Sequence, residues 1–259
     1  MPFTLAHPAA VLPLRRIRIL RTVPLVIGAM APDVPYFIPW SIAKHIPPIT
    51  HSFDGTFTLC LPFGIALLVF CWLLRVPLSA PLGPRSRVKC LSALERFGSR
   101  PLNWALAPLS ILVGAWTHIA WDSFTHPDGW MVLRVSALSA PVTIGSYTGE
   151  LCHVLQYASS VFGLTVLAIW FVRLPDPEPG RREPGRSAGG PVLLGALLAI
   201  AATVGGYETA QDILRHSTVR YHLLYLLLTR TTAWFALLYT LAGILIQLAR
   251  RRRPAPAPG

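Results

Sequence analysis

The sequence predicts an all-α, polytopic membrane helix bundle with five or six spans. Three observations carry that expectation. Of 259 residues, 53% are hydrophobic and only 13% are charged, about half the charged share of an ordinary soluble domain. The mean hydropathy is +0.52. The apolar residues also gather into runs close to the roughly 20 residues that a spanning helix needs.

Residues 57–74 (FTLCLPFGIALLVFCWLL) form the first clear run, and residues 102–124 the second. The third is 152–172, the fourth is the Ala- and Gly-rich 192–210, and the fifth is 231–249, extended by the apolar 221–229. An optional sixth is 22–40 (TVPLVIGAMAPDVPYFIPW). Its prolines and Asp33 disfavour a plain lipid-facing helix, so a re-entrant or interfacial element stands beside it.

Basic residues alternate between the connections. Segment 75–101 carries Arg75, Arg85, Arg87, Lys89, Arg96 and Arg100, and 173–191 carries Arg173, Arg181, Arg182 and Arg186. The tail carries Arg250, Arg251, Arg252 and Arg253, whereas the alternate connections are poorer: 125–151 has only Arg134, and 211–230 has Arg215, Arg220 and Arg230. Positive charge marks the cytoplasmic side. The C-terminus is therefore expected in the cytoplasm, and His51, His126, Glu150, His153, His216 and His222 towards the outer face. This topogenic reading accounts for the net charge of +12 better than nucleic-acid binding, which is not expected. The organisation expected is a membrane-embedded region 1–172, a disordered linker 173–191, two spans in 192–249 and a basic, Pro-rich tail 250–259.

Cys60, Cys71, Cys90 and Cys152 include no C-x-x-C pair, so neither a disulfide framework nor a thiolate zinc site is expected. The opening MPFTLAHPAAVLPLRR lacks the charged-then-apolar order of a signal peptide.

Chemistry concentrates in GAWTHIAWDSFTHPDGW. His118, Asp122 and His126 recur every four residues, on one face of a helix. Imidazole and carboxylate at the end of an apolar run are costly to desolvate without a compensating partner. A metal ion or a proton relay provides one, and zinc, manganese or iron suits this ligand set. His126 lies about 12 Å along the axis from His118, so it serves as a second-ion ligand, an acid, or a helix end before Pro127. His51 (HSFDG), Asp33 (GAMAPDVPYF) and His7 (LAHPAAVLP) are the other ligand candidates, with Asp33 the general base if it is not a ligand. Glu150-x-x-His153 is a weaker pair. Glu208, Asp212, His216 and His222 are candidates for a substrate entrance, and Arg230 for snorkelling or a lipid phosphate.

The blocks MPFTLAHPAAVLPLRR, GAMAPDVPYF, THSFDGTF and GAWTHIAWDSFTHPDGW together resemble a bacterial integral membrane family classed as a domain of unknown function. More distantly, the order His7, Asp33, His51, His118-x-x-x-Asp122 resembles membrane-bound metal-dependent hydrolases and zinc-dependent phospholipase C. The resemblance implies that these five positions ligate or bridge metal. The later second His-x-x-x-Glu of that family is missing, so one or two ions are expected rather than three. The expected activity is hydrolysis of a lipid or phosphoester near the outer leaflet of a bacterial cytoplasmic membrane. The alternative is a non-enzymatic metal or proton carrier, or a scaffold. Membrane lipid is an expected partner, and nothing in the sequence indicates an oligomeric state.

Overall fold

A computed structural model describes residues 4–38, 46–145, 147–175, 190–215 and 223–251. These residues are overwhelmingly helical, apart from one short hairpin. They divide into two compact units, Met1–Val69 with Phe97–Leu174, and Phe70–Arg96 with Pro175–Gly259.

In the first unit the chain begins with two 3-10 turns, Thr4–Val11 and Pro13–Arg16, and a short helix α1 (Thr22–Gly28). A further 3-10 turn, Ala31–Phe37, follows. The run 22–40 is therefore not one spanning helix: α1 has seven residues, about 10 Å of rise, and the prolines after it impose tight turns. Helix α2 (Phe53–Leu73) opens on a Ser52 cap, whose hydroxyl accepts from the Gly55 N–H at 3.0 Å. It contains one π-helical stretch, Thr56–Cys60.

The expected second span splits at Leu106 into a short helix, Pro101–Ala105, and α4 (Ala107–Thr125); helix α3 (Pro84–Gly98) precedes them. Pro108 sits in the first turn of α4, where no N–H is needed. Pro127 disfavours further helix, and His126 is the C-cap, its N–H bonded to the Asp122 carbonyl at 3.1 Å. Ala107, Ser110, Ile111, Gly114, Ala115, His118, Asp122 and Thr125 are its buried residues. They form one stripe at three- and four-residue spacing, which faces protein.

Against that stripe lies α1, at backbone contact distance. A Cβ on Gly28 would stand 2.1 Å from the Ile111 carbonyl oxygen, and one on Gly114 would stand 2.4 Å from that of Leu25. Only the absence of side chains there permits the approach. Ile27, Leu68, Phe97, Ala107 and Ile111 form one apolar cluster of this unit, and Val11, Leu20, Leu25 and Ala29 another. Beyond α4, an antiparallel hairpin pairs β1 (Pro141–Ile144) with β2 (Tyr147–Glu150). Helix α5 (Leu151–Arg173) follows, and its Gly163 packs against Ala6 of the first 3-10 turn.

In the second unit α6 (Gly190–Arg215) packs along α7 (Leu223–Arg251). Gly205 lies against the backbone of Arg230 and Thr231. The Arg230 guanidinium pairs with the Asp212 carboxylate. Tyr239 donates to the Leu78 carbonyl in the short helix Arg75–Ser79, which belongs to this unit.

Four helices are long and apolar enough to cross a membrane: α2, α5, α6 and α7. They coincide with the first, third, fourth and fifth expected runs. The four cysteines are free thiols. Most of the expected linker and tail, residues 176–189 and 252–259, lies outside the described residues.

Candidate metal centre

Four pieces of chain bring five side chains together. His7 comes from the turn Thr4–Val11, where Pro8 holds the backbone in a tight conformation. Asp33 comes from the turn Ala31–Phe37, between Pro32 and Pro35. His51 immediately precedes the Ser52 cap of α2. His118 and Asp122 come from the buried stripe of α4, one turn apart.

One ligand atom each from Asp33, His51, His118 and Asp122 falls within 4.8 Å of all the others. His118 Nε2 is 3.2 Å from Asp122 Oδ2 and 3.5 Å from Asp33 Oδ1. His51 Nε2 is 3.4 Å from Asp33 Oδ1 and 3.6 Å from Asp122 Oδ2. For ligands at 2.0–2.2 Å from a tetrahedral ion, the edge of the ligand tetrahedron is about 3.3–3.6 Å. The observed separations bracket that range.

His7 stands at the edge of the group. Its Nε2 is 3.5 Å from Asp122 Oδ1, and its ring stacks on His118 with centroids 3.7 Å apart. Burial pushes its imidazole down to about 3, with the neighbouring His118 acting in the same direction. The ring is therefore neutral, the form that binds metals.

The orientation of His118 is set from outside the group. Its Nδ1 lies 2.8 Å from the Ala29 carbonyl oxygen, which can only accept, so Nδ1 carries the proton. Nε2 then points at two carboxylates. It makes a directed hydrogen bond to neither, and Asp33 Oδ1, Asp122 Oδ1 and both His7 nitrogens are likewise buried without a hydrogen-bond partner. A lone pair facing carboxylate oxygens in a buried site is unfavourable unless a cation lies between them or Nε2 is itself protonated. The residues present therefore fit a divalent ion, on geometry and on the chemistry of the donor set.

Partners around these side chains were not evident from the sequence. The Thr4 hydroxyl donates to Asp33 Oδ2 at 2.7 Å. The Thr50 hydroxyl donates to the Pro32 carbonyl at 2.8 Å, tying the Asp33 turn to the approach of α2. Thr4 lies three residues before His7, and a 3-10 turn places such residues on one face. That spacing was the available signal.

His126 sits at the rim, half-buried. Its Nδ1 is 3.2 Å from the Asp122 carbonyl oxygen and 3.6 Å from Asp122 Oδ1, and its Nε2 is 3.3 Å from the Gln156 amide nitrogen. Burial lowers its pKa. Glu150 and His153 form a separate group with Cys152 at the start of α5. Glu208 and Asp212 lie on α6 in the other unit, and His216 and His222 lie outside the described residues.

Fold and site together define a helical, membrane-like protein with a buried imidazole–carboxylate cluster able to hold a divalent metal. The chain belongs to the family described as Domain of unknown function (DUF4184), which matches residues 1–246. No curated protein and no solved structure matches the chain.

Proposed function

We propose that this protein is a membrane-embedded, metal-dependent hydrolase that acts on a lipid or phosphoester. The observation that carries the reading is the convergence of Asp33, His51, His118 and Asp122, with Asp33 Oδ1, His118 Nε2 and Asp122 Oδ1 buried without a hydrogen-bond partner. These four residues hold the ion, and His7 completes or bridges the site through Asp122. Zinc is the preferred ion, with manganese and iron as alternatives that the same nitrogen and oxygen donors accommodate. Five principal donors in one cluster suit one or two ions.

When bound, such an ion lowers the pKa of a coordinated water and polarises a phosphoryl or carbonyl oxygen. The protein's own groups supply the rest. Ala29 and Thr4 hold His118 and Asp33 in register. His126, half-exposed at the rim with Gln156 on its outer nitrogen, is placed to pass a proton to a leaving group. Asp33 is the base if its free Oδ1 is not consumed as a ligand. Counting α4 with the four apolar helices gives five spans. The basic connections then put the C-terminus in the cytoplasm and the site towards the outer face of a bacterial cytoplasmic membrane.

A second reading is favoured by the same short separations. A protonated His118 would satisfy both carboxylates, making the cluster a polar tie between chain segments in a carrier or scaffold. Metal analysis of detergent-purified protein separates the two. Near-stoichiometric metal is expected in the wild type and should be lost in both His118→Ala and Asp122→Ala, with helicity retained. Metal-free wild type, refractory to reloading with zinc, manganese or iron, would sink the hydrolase. With metal established, turnover is sought on phospholipids and phosphomonoesters, and its absence there would leave the carrier.

A further inference from the structure

A cavity of about 530 Å³ lies beside the cluster, within the first unit. Its α5 wall is Ser159, Phe162, Gly163, Val166 and Trp170, a single stripe at helical spacing. Two contacts fix its ends. The Trp121 indole donates to the Ser159 hydroxyl at 3.2 Å, and the Arg15 guanidinium lies 5.7 Å from the centre of the Trp170 ring. From Ser159 to Trp170 the helix rises about 16 Å. The opposite wall is the N-terminal segment, including Ala6, His7, Ala9 and Ala10.

The cleft is thus long and mostly apolar, with Arg15 and Arg16 at one end. Arg15 and Arg16 both line it, both are exposed, and among the described residues neither makes an ion pair. Phe162 is 63% exposed, a poor arrangement in water but a suitable one against hydrocarbon. The Arg15–Trp170 contact also sets the N-terminal arginines level with the Arg173 end of α5. Tryptophan and arginine together mark a membrane interface, where anionic headgroups gather on the cytoplasmic leaflet.

We propose that this cleft binds one anionic phospholipid, with its phosphate at Arg15 and Arg16 and one acyl chain along the α5 stripe towards Trp121. Charge complementarity selects the headgroup, and the shape and apolar walls select the chain. The volume falls within the usual range for a small-molecule site. The assignment does not rest on the metal reading: His7 lines both the cleft and the cluster, but neither the arginines nor the α5 stripe belongs to the cluster.

The test is native mass spectrometry of the full chain in detergent, titrated with palmitoyl-oleoyl phosphatidylglycerol, the matching phosphatidylcholine, or glycerol phosphate. Phosphatidylglycerol should bind at one site at least tenfold more tightly than phosphatidylcholine, and glycerol phosphate should not bind measurably. Interfacial arginines contribute about fivefold each, so Arg15→Gln with Arg16→Gln should weaken phosphatidylglycerol about 25-fold. Both positions are exposed, so the fold should survive the change. Val166→Trp, which fills the cleft and leaves the arginines in place, should abolish the site. Equal affinity for the two lipids, or an unchanged affinity in the double arginine variant, overturns the headgroup assignment. Binding of glycerol phosphate as tight as that of the lipid, or undiminished binding in a folded Val166→Trp protein, overturns the chain assignment.

Discussion

Replacing Gly114 by alanine should damage the metal centre without touching any of its ligands. The new Cβ would sit 2.4 Å from the Leu25 carbonyl oxygen and 2.7 Å from the Ala29 amide nitrogen. Ordinary contact begins at 3.4 Å, and both neighbours are backbone, which cannot rotate away. The end of α1 must therefore withdraw from α4 by about 1 Å, in a core packed as tightly as a crystal. The His118 Nδ1 bond to Ala29, now 2.8 Å, would lengthen to about 3.8 Å, beyond hydrogen-bond reach. Overpacking of this kind costs about 1–3 kcal/mol. Loss of the bond that orients a ligating imidazole lowers metal affinity by about 10- to 100-fold. Zinc affinity by chelator competition, measured beside the thermal midpoint in the same detergent, reads both effects. Gly195→Ala is the control: nothing lies within 4 Å of its Cβ, so it should leave zinc affinity unchanged and slightly strengthen α6. A folded Gly114→Ala protein with wild-type zinc affinity would refute the claim that the α1–α4 contact sets the geometry of His118.

Two further substitutions separate holding the metal from using it. Thr4→Val removes the one hydroxyl that, among the described residues, donates to Asp33 Oδ2, while keeping the shape of the side chain. An unsatisfied buried acceptor costs about 1–3 kcal/mol. Thermal denaturation should show that loss, and zinc affinity should fall with it. Gln156→Leu instead strips His126 Nε2 of its partner and leaves the four-residue ligand group intact. Metal content should be unchanged while any hydrolytic rate falls, with the rate change lying in the proton-transfer limb of its pH profile. Equal loss of metal and activity would place His126 in the cluster rather than beside it.

The two arms of the site differ in how far local pattern could define them. His118 and Asp122 are one turn apart on a helix with clear end signals, Pro108 and Pro127, so their common face followed from 3.6-residue periodicity alone. Asp33 and His7 lie in proline-rich turns, where side-chain direction depends on the packing of each turn rather than on a repeat. His126 shows the limit of periodicity from the other side. Its four-residue spacing continues the pattern, but Pro127 ends the helix and turns His126 into a cap, so the ring reaches Gln156 on α5 rather than completing the row. The same limit applies to the run 22–40, whose apolar composition suited a span while its prolines produced one short helix and a tight turn.

What the sequence by itself determined was the membrane-like, helical character of the chain and the pairing of His118 with Asp122. Both rest on composition and on the helical repeat, which act over a few neighbouring residues. Only the tertiary structure decided that Asp33 and His51 join that pair, that Thr4 and Ala29 hold it, and that α4 is packed among protein. Those outcomes depend on α1 approaching α4 through Gly28 and Gly114. That contact joins residues more than eighty positions apart, and no local rule anticipates it.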